Sequence, residues 1–299
     1  MSAAKSAHPL PPGRIAMLTV LAMVAFAGNS LLCRIALKQT AIDPASFTAI
    51  RLLSGAVVLW LLLRARSGTP AAAGNWSSAC ALFAYAAAFS FAYVSLSAAA
   101  GALILFGAVQ ATMIGCGLWR GERLYGPQLA GLVLAATGLI GLLLPGLSAP
   151  PWQGALLMLG AGAAWGIYSL RGKTSGDPLA VTAGNFLRTV PLTAGLSLVM
   201  MGHAMPDPAG AVYAIASGAL ASGVGYAVWY AALPGLKATS AATVQLSVPV
   251  IAAAGGMLFL GEPLTLRLLM CAAAILGGIA LVIQRRQDAM HPTQPLRPS

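Results

Sequence analysis

Charge is what this chain lacks most. Of its 299 residues only 8% are Asp, Glu, Lys or Arg, whereas a soluble globular chain carries about 25%. That shortfall excludes an ordinary soluble domain. With 59% hydrophobic residues and a mean hydropathy of +0.83, a disordered chain is excluded too. The acidic residues are only six: Asp43, Glu122, Asp177, Asp207, Glu262 and Asp288, all near the ends of apolar runs or outside them. His8, His203 and His291 fall in tails or loops. No span centre therefore offers a carboxylate or imidazole, the groups that serve proton relays and cation sites in a membrane. Without a membrane histidine, a serine–histidine protease and an intramembrane metal site are both unsupported. No GxxxxGK[ST] loop is present, so ATP does not drive the chain directly. Cys33, Cys80, Cys116 and Cys271 lie in or beside apolar runs without CxxC spacing. They read as small buried hydrophobes, not as a disulfide or metal framework. Nothing here calls for a cofactor or metal, and the chain is read as no enzyme.

What is present is a row of apolar runs. A span needs about 20 apolar residues. Charges and turn residues divide the chain into spans at 14–37, 44–63, 76–95, 98–119, 125–144, 152–171, 179–201, 209–231, 238–260 and 264–284. The run 76–119 is too long for one helix and is predicted to fold back near Ser95–Gly101. Residues 1–13 and 287–299 read as disordered tails, the second marked by Pro292, Pro295 and Pro298. Ala25-Phe26-Ala27 resembles a signal cleavage site, but apolar character continues to Leu37, past a signal core, so the run is kept as a span.

The net charge of +11 is explained by where the cations sit. With the N-terminus inside, the inner segments hold Lys5, Arg14, Arg64, Arg66, Arg120, Arg123, Arg171, Lys173, Lys237, Arg285, Arg286 and Arg297. The outer ones hold only Arg34, Lys38 and Arg267. This is a strong positive-inside bias and calls for no nucleic-acid partner. It places both termini in the cytoplasm of a bacterial inner-membrane protein, with the bilayer and a small molecule as partners.

The two halves repeat. Phe26 and Arg34 recur as Trp165 and Lys173 at an offset of 139, and Gly121-Glu122 recurs as Gly261-Glu262 at 140. Asp43-Pro44 and Asp177-Pro178 open the second and seventh spans, and Arg51 and Arg188 follow inside each. The expected architecture is all-α, with ten transmembrane helices in two five-helix repeats, 14–144 and 152–284. Five is odd, so the second repeat enters from the opposite side, a hallmark of secondary transporters.

The stretch Ala221-Ser222-Gly223-Val224-Gly225-Tyr226-Ala227-Val228-Trp229-Tyr230 leads into Ala238-Thr239-Ser240-Ala241-Ala242, Val244-Gln245-Leu246-Ser247-Val248-Pro249-Val250 and Gly261-Glu262-Pro263-Leu264-Thr265. It resembles the second EamA repeat of the drug/metabolite transporter superfamily. The first repeat matches more loosely, since Gly121-Glu122-Arg123-Leu124 lacks the proline. The resemblance covers about 14–284. It implies an exporter in which helices one to four and six to nine surround a central cavity, with five and ten to one side. Within the family the chain looks most like the YddG-type exporters of aromatic amino acids.

The residues supply candidates for a substrate site. Tyr85, Phe89 and Tyr93 are spaced i, i+4, i+8 and share one helix face. Trp229 matches Phe89 at an offset of 140, flanked by Tyr226 and Tyr230; Trp165 matches Phe26, with Tyr168 one turn away. These rings either line a cavity that stacks on flat substrates or pack the core and the interfacial belts. Asn29, Gln110, Asn185 and Gln245 are amides inside spans. Each either hydrogen-bonds a substrate or glues helices together, with Gln110 and Gln245 the stronger site candidates. Arg51 and Arg188 read as snorkelling or pairing with Asp43 and Asp177, with attraction of a carboxylate at a cavity mouth as the functional alternative. Glu122 and Glu262 are expected to cap the fifth and tenth helices. Gly162 and Gly166 form a GxxxG, and Pro191, Pro234 and Pro249 interrupt spans seven to nine. The function expected is export of small metabolites, foremost aromatic and other apolar amino acids, by alternating access of the two repeats. Proton-coupled export of cationic drugs is the alternative.

Overall fold

The structure, a computed structural model, describes residues 11–65, 73–121, 125–146, 149–172, 177–236 and 238–290. Ten helical spans succeed one another: α1 (Pro12–Gln39), α2 (Pro44–Arg64), α3 (Trp76–Tyr93), α4 (Ala98–Trp119), α5 (Gly126–Leu143), α6 (Trp152–Gly172), α7 (Pro178–Val199), α8 (Pro208–Gly235), α9 in two segments (Ala238–Val244 and Ser247–Leu260), and α10 (Leu266–Met290). The described residues contain no strand. In lipid every backbone N–H and C=O must find an internal partner, and helices do this within one segment.

The helix starts follow from the sequence. Asp43 accepts hydrogen bonds from the N–H groups of Ala45 and Ser46, and Asp177 from that of Leu179, with Pro44 and Pro178 at the first helical position. The repeated Asp-Pro is thus a repeated N-cap, worth about 1 kcal/mol each. Asp207-Pro208 begins α8 in the same way. The long run 76–119 breaks between Tyr93 and Ala98, where Ser97 caps α4 by accepting from the Ala100 N–H. The repeated Gly-Glu has its own cause. Gly121 and Gly261 lie at φ +88° and +61°, the left-handed region that glycine enters without strain.

Some boundaries move. The first helix begins at Pro12, inside the segment read as a tail, and α10 carries residues 287–290; residues 1–10 and 291–299 lie outside the described residues. Span nine, expected to be continuous, breaks at Gln245–Leu246. Its cause is Pro249, which has no N–H to offer the Gln245 carbonyl four residues earlier. That carbonyl instead accepts from the Val248 N–H at 3.1 Å. Span eight contains a π-helical stretch, Ala216–Val224.

Helix α2 packs on α7, α4 on α9, and α5 on α10; α3 packs on α6 as α1 packs on α8, and α4 on α6 as α9 on α1. Exchanging α1–α5 with α6–α10 maps this set of contacts onto itself. These are two inverted five-helix repeats about a pseudo-twofold axis, with the α5/α10 pair to one side. Close approach is by small residues: a Cβ on Gly162 would stand 2.7 Å from the Leu105 carbonyl, and one on Gly166 2.9 Å from Thr112 Cβ.

Among the described residues seven helices are long and apolar enough to cross a membrane. The exceptions are α3, rich in aromatic residues, α6, rich in glycine, and α7, rich in threonine, and α3 lies against both others. Trp76, Trp119, Tyr125 and Trp152 stand exposed at helix ends, as interfacial rings do. Cys33 and Cys271 are buried as expected, whereas Cys80 is exposed on α3 and Cys116 is half-buried.

Candidate functional site: an aromatic cavity between the repeats

Six helices converge on a central cavity. From α1 come Phe26, Asn29 and Ser30; from α3, Tyr85 and Phe89; from α4, Leu105, Phe106 and Val109. Trp165 of α6, Ala221, Ser222 and Tyr226 of α8, and Gln245 at the break in α9 complete the wall. Its empty space is about 530 Å³, counted out through its mouth. The site draws on both repeats.

Six of the thirteen residues in the wall are aromatic. Trp165 stacks on Tyr226 at 5.6 Å between centroids and on Tyr168 at 5.3 Å, and it meets Tyr85 at 4.8 Å. Tyr85 meets Phe89 at 5.4 Å, and Phe26 meets Tyr226 at 5.7 Å. A flat or apolar group entering here finds ring faces and edges on several sides.

The polar groups are few. Asn29 accepts from the Ser217 hydroxyl at 2.6 Å and donates to the Tyr85 hydroxyl at 3.4 Å. Gln245 makes no side-chain hydrogen bond among the described residues, and Pro249 is the reason its amide stands at a break and not on a helix face. Ser222 reaches the wall from the π-helical stretch. Each i→i+5 bond there widens the turn and turns the following side chains relative to an unbroken α-helix. This explains why Tyr226, and not Trp229, stands opposite the α3 rings. No carboxylate lines the cavity, and no group of three His, Cys, Asp or Glu gathers among the described residues to hold a metal.

Seven of the twelve predicted site residues share this cavity: Phe26, Asn29, Tyr85, Phe89, Trp165, Tyr226 and Gln245. Five do not line it. Tyr93 is fully buried beneath Phe89, edge-on at 4.7 Å. Tyr168 stands behind Trp165. Trp229 packs edge-on against Phe26 at 6.1 Å in a separate cluster of α1, α4, α8 and α9. Asn185 is helix glue: its Oδ1 accepts from the Asn75 N–H at 2.9 Å, docking the start of α3 on α7. Gln110 faces an apolar cleft with Leu132, Leu139 and Ile275, among α4, α5 and α10. Sequence reasoning missed Ser30, Leu105, Phe106, Val109, Ala221 and Ser222. Only the last pair had a signal, the dense glycine and serine of 217–225.

Three charged residues depart from expectation. Arg51 does not snorkel and does not pair with Asp43. It is 2% exposed, its Nη2 donates to the Tyr85 hydroxyl at 3.3 Å, and its guanidinium lies 4.8 Å from the Phe89 centroid. Arg188 is satisfied by carbonyls, with Nη1 donating to Ala73 at 2.8 Å and to Gly184 at 2.9 Å. Glu262 does not cap the tenth helix. Its Oε2 accepts from the Ala98 N–H at 2.7 Å, capping α4, and its Oε1 accepts from Arg34 Nε at 2.9 Å. Arg34 donates further to the carbonyls of Tyr93 and Val94. The pair joins the two repeats where α3 ends. Glu122 and Lys173 lie outside the described residues.

The comparisons with known proteins add a family. Residues 152–284 match the EamA-like transporter family. An uncharacterized protein of Pseudomonas aeruginosa is 62% identical over 279 residues, 93% of this chain and 97% of that one. The threonine/homoserine exporter RhtA of Escherichia coli is 34% identical over 167 residues, 53% of this chain and 55% of that one. Its Salmonella typhimurium counterpart matches at the same identity over 165 residues. This chain thus spans about half the length of the RhtA exporters it matches. A crystal structure of a protein at 19% identity superposes with a TM-score of 0.65 over 91% of this chain and 99% of that one. At that identity the likeness carries the fold alone. These matches support the family and not the narrower likeness to YddG-type exporters.

Proposed function

This chain belongs to the EamA-like transporter family, a multi-pass membrane transporter and not an enzyme, and from that premise we propose that it exports small metabolites, foremost aromatic and other apolar amino acids, through the central cavity. The observation that carries the reading is the cavity itself. It lies between two inverted repeats, is walled by rings, and offers an unengaged amide at Gln245. Such a wall takes aromatic and other apolar side chains, and the threonine/homoserine activity named for the RhtA relatives favours the amino-acid class. The contact residues are Phe26, Asn29, Tyr85, Phe89, Trp165, Tyr226 and Gln245. Export of cationic drugs is not favoured: no carboxylate lines the wall, and the charge touching it is the guanidinium of Arg51.

Transport proceeds by alternating access, the two repeats exchanging conformations about their pseudo-twofold axis. The Arg34–Glu262 pair closes the cavity's end beside Tyr93, and it parts when that end opens. The repeats are 14–144 and 152–284, the protein sits in the bacterial inner membrane, and the positive-inside rule places both termini in the cytoplasm.

The test is uptake into proteoliposomes of labelled phenylalanine, threonine and a quaternary ammonium dye, with and without a pH gradient. Amino-acid flux indifferent to the gradient is expected, as is its loss in Gln245→Ala and Trp165→Ala beyond any loss of folded protein. Normal purification of both variants with wild-type flux would remove these residues from the site.

A further inference from the structure

We infer that Arg51 is the carboxylate-recognition group of the cavity, so that the transported molecule carries a carboxylate and is not a simple cation. The inference rests on the cavity's being the transport site.

Arg51 sits two turns into α2, one side chain behind the cavity wall. Its Nε and Nη1 have no hydrogen-bond partner among the described residues. Arginine stays charged at every physiological pH, so burial does not neutralise it. The aromatic rings of Phe89 and Tyr85, with centroids 4.8 Å and 5.4 Å from the guanidinium carbon, cover its faces. They leave the N–H groups of Nε and Nη1 unanswered. No acidic side chain among the described residues answers them either. Asp43, Asp177 and Asp207 are helix caps, and the one ion pair among the described residues is Arg34–Glu262. Arg188, inside the corresponding helix α7, shows a satisfied arginine, with two carbonyls on Nη1. Buried charges are paired as a rule, and here the missing partner is an anion.

Tyr85 connects this charge to the cavity. Its hydroxyl oxygen receives Arg51 Nη2 at 3.3 Å and Asn29 Nδ2 at 3.4 Å. Both lone pairs are then engaged, and its proton is the one bonding capacity left. Because Tyr85 lines the cavity, that proton is a donor for an oxygen anion, strengthened by the cation behind it. A carboxylate at this wall accepts from Tyr85, and a shift of the Tyr85 ring releases Nη2, whose N–H lies on the same edge as that of the unpartnered Nε. That planar fork matches a carboxylate's two oxygens. The apolar part of the substrate then faces Trp165, Tyr226 and Phe26.

The experiment is calorimetric binding to the full-length protein in nanodiscs. The probes are phenylalanine, threonine, phenylacetate and phenethylamine, which keeps the ring and amine but lacks the carboxylate. Wild type is expected to bind the carboxylate probes and to bind phenethylamine at least tenfold more weakly. Arg51→Met should lose roughly tenfold or more of carboxylate affinity without weakening phenethylamine. Tyr85→Phe, which keeps the ring, should weaken the same probes by a smaller factor, and it decides the matter if Arg51→Met does not fold. Unchanged phenylalanine affinity in a folded Arg51→Met, or in Tyr85→Phe when Arg51→Met is lost, overturns the assignment. So does a wild type that binds no carboxylate probe, or binds phenethylamine equally well. The transport reading stands or falls separately, on whether wild-type proteoliposomes move any of the solutes.

Discussion

Removing either member of the Arg34–Glu262 pair should cost more than its share of hydrogen bonds. The two side chains are 11% and 6% exposed, so water screens little of their attraction. Glu262→Ala deletes two charge-assisted bonds, from Arg34 Nε and from the Ala98 N–H, and leaves a buried guanidinium with only the Tyr93 and Val94 carbonyls. Breaking a buried pair from one side costs about 3–5 kcal/mol. Arg34→Met should cost a similar amount, since it strands the carboxylate. The double variant strands neither charge, so it should cost roughly 2–3 kcal/mol less than the sum of the singles, the upper range for residues in contact. The measurement is equilibrium unfolding of the four proteins in one detergent, followed by tryptophan fluorescence. Additive losses, within about 0.5 kcal/mol, would refute the pair as a coupled tie between the repeats.

Two other perturbations test the fold. Burial raises the pKa of Asp43, but the Ser46 hydroxyl and the N–H groups of Met205, Ser46 and Ala45 outweigh it and hold the carboxyl below its ordinary value. A depressed folded pKa gives stability that is present above the unfolded value and is lost as pH falls through the folded one; Asp43→Asn should therefore flatten the acid limb of the stability profile, and an unchanged limb would count against this account. Gly162→Val places a branched side chain against the Leu105 carbonyl and Ala108 of α4 and should destabilise by about 1–3 kcal/mol, read as a lower melting temperature than Gly160→Val, where a Cβ meets nothing within 4 Å.

The sequence by itself determined the spans, their number and the repeat. Lipid imposes a length and a polarity on each segment, and the Asp-Pro caps and the left-handed Gly121 and Gly261 mark helix ends by local chemistry. It also determined which residue types could meet a substrate, because aromatic and amide side chains inside spans are few. Tertiary structure alone decided which of them do. Gln245 and Gln110 are both amides in apolar helices, yet one stands at a proline-made break facing the cavity and the other faces α5 and α10. Trp229 yields its place to Tyr226 because a π-helical stretch, invisible to a 3.6-residue period, turns the face of α8. Arg51 and Arg188 lie inside the two Asp-Pro helices, eight residues past Asp43 and eleven past Asp177, and they meet different partners: rings for Arg51 and the Ala73 and Gly184 carbonyls for Arg188. A repeat in sequence sets equal positions; the partners that each position meets depend on how the two copies pack, and here they pack unequally.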